Sequence, residues 1–110
     1  MLAKVALDKK ARDVLILDLK GLTIIADYFI ICSGESTKHV RAIAETIEEK
    51  SQKAGIKPIG IEGLPQSRWV LIDYGDVMVH IFEAGTRSYY ELEKLWMDAQ
   101  RIPLSETGHE

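Results

Sequence analysis

The sequence predicts an α/β domain in which a mixed five-stranded sheet is packed against helices. Three observations carry that expectation. Two runs, VLILDL (14–19) and DYFIICSG (27–34), are too continuously apolar for surface strands and read as central ones. Between them and residue 55 the apolar residues change to helical spacing, with Val40, Ile43, Ala44 and Ile47 on one side. WVLIDYGDVMVHIF (69–82) then supplies two Val- and Ile-rich runs around Gly75-Asp76, the pattern of a hairpin with a two-residue primed turn.

Taken in order, Leu2 to about Arg12 is predicted as a short first helix. VLILDL is the first strand and ends at Lys20-Gly21. DYFIICSG is the second and runs through Ser33-Gly34 into the long helix, with Ser36 as its cap and Gly55 as its stop. A short third strand is expected at about Lys57 to Ile61, after which GLPQS (63–67) turns the chain into the hairpin. A last helix is expected from Ser88: Ser88 and Glu91 have capping-box spacing, and Tyr89, Leu92, Trp96 and Ala99 mark one face. Pro103 closes it, giving one domain over 1–103 and a frayed tail over 104–110.

The hairpin turn fixes its register. Tyr74 faces Val77, Ile72 faces Val79 and Val70 faces Ile81, while on the opposite side Asp73 meets Met78, Leu71 meets His80 and Trp69 meets Phe82. Val70, Ile72, Val77, Val79 and Ile81 form a β-branched face expected to pack under helices, with Tyr74 at its turn end. The other face mixes large apolar groups with a carboxylate and an imidazole. Three helices need not cover both sides of a sheet, so this face is either roofed by a second layer or open to a partner.

Composition narrows the function classes. At 110 residues, 46% hydrophobic and 28% charged, the chain has the make-up of a soluble globular domain, and no apolar run approaches the roughly 20 residues of a membrane span. The opening MLAKVALDKK lacks the apolar core of a signal peptide. Cys32 is the single cysteine, which excludes an internal disulfide and suits a reducing cytoplasm. With 14 Lys plus Arg against 17 Asp plus Glu, a broad electrostatic grip on nucleic acid is not expected, and a basic protein is the better-matched partner.

Several chemistries compete for the mixed face. Asp73 and Asp76 suggest paired carboxylates for a divalent metal, but Asp76 is explained by turn chemistry and one strand carboxylate is not a metal site. His80 has no ligand at suitable spacing and reads as a packed or hydrogen-bonded residue. Ser33-Gly34-Glu35-Ser36 leads from strand into helix without the lysine and glycine pattern of a phosphate-binding loop, and Cys32 before it has no partnered base. Trp69, Tyr89, Tyr90 and Trp96 with Arg68 and Arg87 offer a diluted RNA-binding pattern, in which Tyr90 and Arg87 are equally open to surface contact and structural use. Lys38, His39 and Arg41 read as the solvated side of the long helix. A protein interface uses the odd face without missing catalytic parts: Trp69 as anchor, Met78 and Phe82 as apolar area, and Asp73 with Glu83 or Glu62 as charge. Packing of Trp69 under the terminal helix or a loop is as well supported by geometry alone. No metal or cofactor is expected.

Five segments, DYFIICSG, STKHVRAIAETIEE, GIEG, WVLIDYGDVMVHIFE and RSYYELEKLW, follow one another in an order and spacing that resemble the ribosomal silencing factor, or Iojap-like, family from about Val14 to Trp96. The resemblance implies a mixed α/β fold with nucleotidyltransferase-like topology and no nucleotidyl transfer. It also implies binding to the large ribosomal subunit through its basic ribosomal protein fourteen, with steric exclusion of the small subunit and repression of translation under nutrient limitation. The family's interface tryptophan falls on Trp69. Strand register extends the expected contact set to Leu71, Asp73, Met78, His80 and Phe82, with Tyr74, Glu83 and Tyr90 at the rim. A metal-dependent nucleotidyltransferase-like enzyme using Asp73, Asp76 and the Ser33-Gly34 turn, and a homodimer formed through the same face, are the competing readings. The lack of a long targeting extension points to a bacterial cytoplasmic protein or a mature domain.

Overall fold

The computed structural model describes residues 2–86 and 100–103. Within them the elements are α1 (Leu2–Asp8), β1 (Arg12–Asp18), β2 (Tyr28–Gly34), α2 (Thr37–Lys53), β3 (Gly60–Glu62), β4 (Trp69–Asp73), β5 (Val77–Glu83) and β6 (Gln100–Arg101). The strands form one sheet in the order β3-β4-β5-β2-β1-β6. β2 and β5 pair in parallel at its centre, and every other pairing is antiparallel. The mixed α/β class is as predicted.

Six strands replace the expected five. The addition is β6, whose two residues pair with Leu17 and Asp18 on the outer edge of β1, continued by the Ile102 amide donating to the Ile16 carbonyl at 2.9 Å. Gln-Arg has no apolar alternation, so nothing local marks it as a strand; it is one because β1 offers unpaired backbone. The first helix is shorter than expected. It ends at Asp8, Lys10 takes a left-handed φ of 63° that reverses the chain, and Arg12 already pairs with Ser33. The third strand begins at Gly60, three residues later than predicted. The helix expected from Ser88 to Pro103 does not hold at its end, where Gln100–Arg101 are drawn into the sheet as β6; its residues 88–99, and the tail over 104–110, lie outside the described residues.

α2 is built as its sequence implies. Ser36, with extended backbone, accepts the His39 amide at 3.1 Å, and Val40, Ile43, Ala44, Ile47 and Ser51 are buried along one stripe. At the other end Gly55 has a φ of +82°, the left-handed conformation that stops a helix cheaply only in glycine. The stripe packs with Ala3, Val5 and Ala6 of α1 against Val14, Ile16, Ile30, Cys32, Val70, Ile72, Val79 and Ile81. This is the inner face of the sheet, and both described helices lie on it. Tyr74 closes the tip end of the same layer, its hydroxyl 2.8 Å from Ser51 Oγ.

Alternation sends the intervening residues to the outer face. Leu17, Leu19, Ala26, Phe29, Ile31 and Phe82 form a second buried cluster there, with Leu15, Trp69 and Met78 half-buried at its margin.

Candidate partner-binding face

The observed β4–β5 register pairs Trp69 with Phe82, Leu71 with His80 and Asp73 with Met78, as the turn predicts. The turn itself carries positive φ at Gly75 (88°), its first central position, as a type II′ turn requires. This register brings six of the predicted contact residues onto one side of two strands.

Trp69 is held there by its neighbours. Its ring stacks on Phe82 with centroids 5.1 Å apart and planes 25° apart, and its indole Nε1–H donates to His80 Nδ1 at 3.1 Å. An indole nitrogen can only donate, so Nδ1 accepts and the imidazole is neutral with its proton on Nε2. Burial disfavours the charged ring and lowers its pKa to about 4. His80 is 5% exposed, lies 4.6 Å from the Phe29 ring, and its Nε2 has no hydrogen-bond partner among the described residues. The imidazole is therefore a fixed acceptor in an apolar wall.

The predicted contact residues consequently divide. His80 and Phe82 are buried, so they have no surface to offer and serve as the bed on which Trp69 lies. Trp69, Leu71, Asp73 and Met78 are half-exposed and form the accessible strip. Tyr74 is not part of it: its side chain packs with the inner core and its hydroxyl is committed to Ser51. Glu83 accepts the Gly85 amide at 3.0 Å where the chain leaves β5. Tyr90 lies outside the described residues. Glu62 joins the strip, because its pairing with Leu71 puts it on the outer side of the exposed edge strand β3.

The collar behind Trp69 has no signature in the local sequence. Arg41, expected to be a solvated residue of α2, reaches across to the 63–67 loop: Nη2 donates to the Pro65 carbonyl at 2.7 Å and to the Leu64 carbonyl at 3.4 Å, and Nε donates to Ser67 Oγ at 3.3 Å. Ser67 is fully buried with a left-handed φ of 56°, and its amide donates to the Gly63 carbonyl at 2.9 Å. A Cβ on Gly63 would stand 2.0 Å from the Trp69 carbonyl oxygen, so only glycine lets the loop fold back onto the start of β4. His39, likewise expected on the solvated side, bridges the Glu35 amide (2.9 Å to Nδ1) and the Lys9 carbonyl (2.8 Å from Nε2).

Other chemistries find little footing. One Asp73 carboxylate oxygen accepts the Gly75 amide at 2.8 Å, a turn bond, and Asp76 sits exposed at the tip. Ser33 and Gly34 are buried, and a Cβ on Gly34 would lie 2.9 Å from both the amide nitrogen and Cγ2 of Val40. That glycine admits the first turn of α2 against β2, leaving no cradle for a phosphate. Among the described residues no three His, Cys, Asp or Glu side chains are grouped to hold a metal ion, and no helix is long and apolar enough to cross a membrane.

Comparison with known proteins agrees with the architecture. The whole chain, residues 1–110, matches the family described as ribosomal silencing factor during starvation. It is 52% identical over 97 residues to the ribosomal silencing factor of Bacillus subtilis, covering 88% of this chain and 82% of the relative. It is 34% identical over 99 residues to the mouse protein named mitochondrial assembly of ribosomal large subunit protein 1, covering 87% of this chain and 43% of that one. A crystal structure from Bacillus halodurans superposes with a TM-score of 0.82 at 46% identity, covering 93% of each chain. With the hairpin, the capped helix and the full-length match all in agreement, the chain belongs to the ribosomal silencing factor family.

Proposed function

We propose that this protein binds the large ribosomal subunit through the strip formed by Trp69, Leu71, Asp73 and Met78, at the basic ribosomal protein fourteen, and by its bulk keeps the small subunit from joining. Translation falls as a result, without any chemical step, in the cytoplasm of the cell. The observation that carries this reading is Trp69 itself. It is a large, half-buried aromatic, fixed by a stack and a hydrogen bond, on the face of the sheet opposite α1 and α2. A rigid amphipathic ring loses little conformational entropy on docking, which is why tryptophan recurs among the residues that dominate binding energy. Asp73 and the exposed Glu62 add negative charge suited to a basic surface. Family membership and the name of the mouse relative support the large subunit as the target.

The test is sedimentation of purified large and small subunits with the wild-type protein and with Trp69→Ala. The wild type should travel with the large subunit and suppress formation of the joined ribosome. Trp69→Ala should lose on the order of 2 kcal/mol of binding, about a thirtyfold weaker dissociation constant. Equal affinity of the two proteins would remove Trp69 from the interface; absence of the wild type from the large-subunit fraction would end the proposal.

A further inference from the structure

The end of the sheet that carries Asp73 and Met78 holds a second apolar group used by neither buried cluster. In the loop from β1 to β2, Leu22, Ile24 and Ile25 are 46%, 104% and 56% exposed, and Ile59 is 73% exposed. Ile24 is as open to water as it would be in an extended peptide. Single exposed apolar residues need no explanation, but three in one short loop, with a fourth beside the hairpin tip to which that loop is tied, are the kind of group that marks an interaction surface.

Backbone bonds hold this loop against the tip. The Leu22 amide donates to the Leu19 carbonyl at 2.9 Å, and the Ile25 amide to Thr23 Oγ1 at 3.2 Å. The amides of Asp27 and Tyr28 both donate to the Asp76 carbonyl, at 2.8 and 3.1 Å. On the other side of the tip the Ile59 amide donates to the Asp73 carbonyl at 2.6 Å, and Ile59 Cδ1 lies 3.2 Å from the position of a Cβ on Gly75. Ile59 therefore lies against Gly75, and Ile24 and Ile25 stand two to three residues before Asp27, the residue that ties their loop to Asp76.

The charge around them is net negative. Segments 18–28, 56–60 and 73–77 contain Asp18, Asp27, Asp73 and Asp76 against Lys20 and Lys57. None of these four carboxylates is in an ion pair among the described residues, and Lys20 lies over the Tyr28 ring, 5.1 Å from its centroid. Carboxylates in no ion pair among the described residues, close in sequence to exposed isoleucines, suit a cationic protein surface. They repel phosphate, whether on a nucleic acid or on a lipid headgroup.

We infer that the docking face continues round the Gly75-Asp76 tip onto the 22–25 loop, where Ile24 and Ile25 seat in an apolar depression on the same basic partner. The inference rests on the proposed subunit binding and extends it. Continuity supports a single occupant: Trp69 to Asp73 spans about 13 Å of strand at ~3.3 Å per residue, and the tip follows directly. That length falls within one side of an ordinary interface of about 800 Å².

The double substitution Ile24→Ser with Ile25→Ser tests it, because Ile24 is fully and Ile25 largely in solvent and neither belongs to a buried cluster. Dissociation constants for purified large subunits should be measured for wild type, the double variant and Trp69→Ala, with melting temperatures alongside and light scattering of each free protein. The expected result is about tenfold or greater weakening by the double variant at an unchanged melting temperature. Wild-type affinity in the double variant, with weakening in Trp69→Ala, would overturn the extension and leave the Trp69 strip standing. A wild-type dimer that the double variant converts to monomer without loss of subunit affinity would also overturn it, assigning the loop to self-association. No binding by the wild type would remove the reading on which it depends.

Discussion

Val70, Ile72, Val79 and Ile81 leave the two hairpin strands toward α1 and α2, and each is completely buried in a layer of aliphatic side chains. Trp69, Leu71, Asp73 and Met78 leave the same strands in the opposite direction and remain half-exposed, with His80 and Phe82 buried between them. Alternate residues of one short segment thus carry two tasks: the inner set determines whether the sheet holds its helices, and the outer set determines what surface the sheet presents. Because a strand repeats every two residues, each set is free to change with little effect on the other.

The separation can be broken most forcefully from the inner side. Ile81→Ala removes a fully buried side chain from beneath α2 and is expected to cost about 3 kcal/mol of folding stability in urea denaturation, while the folded fraction binds large subunits with unaltered affinity. A parallel fall in affinity would show that the two faces are coupled.

A smaller effect is expected from pH, through His80. Its folded pKa of about 4 lies below the ordinary value of 6.5, so between those two values the unfolded chain takes up a proton that the folded one refuses. The stability contributed by the neutral ring is complete above about pH 6.5 and is lost as pH falls toward 4, with about 2 kcal/mol gone by pH 5. Comparing urea midpoints at pH 7 and pH 5 for wild type and His80→Leu checks this. The variant should show a shallower decline, and equal slopes would mean that the imidazole is not held neutral against the Trp69 indole.

The smallest effect belongs to charge at the exposed margin. Asp73→Lys should slow association with the large subunit by several-fold at low salt, and the difference should shrink as salt screens it. Stopped-flow association at two ionic strengths reads this directly; identical rates for both proteins would leave the strip's negative charge without a role in recognition.

Much of this architecture is legible in the amino-acid sequence. The hairpin announces its register because the turn residues and the alternation agree, and α2 is marked by Ser36, its apolar stripe and Gly55. The parts that are not legible depend on contacts between distant segments. β6 has no signal of its own and exists by pairing with β1. Arg41 resembles any exposed helix residue until the 63–67 loop, more than 20 positions away, supplies the carbonyls it binds. The alternation places His80 on the outer face but cannot say that its ring is buried against Phe29 or that it accepts from Trp69. Residue type and face follow from local pattern, whereas depth follows from what packs above.

The parallel pairing of β2 with β5 has a consequence for how the protein comes into being. Tyr28 pairs with Val77 and Gly34 with Glu83, so nearly half of the chain must be made and folded back before the centre of the sheet can close. Loops of that length oppose early nucleation, and topologies rich in such distant pairings fold slowly relative to those built from local contacts. β4 and β5 can form their turn as soon as they leave the exit tunnel, but Phe29 and Ile31, the outer-face residues of β2, reach the side of His80 and Phe82 only once β5 has joined β2. The aromatic strip is thus one of the last surfaces to be finished during synthesis.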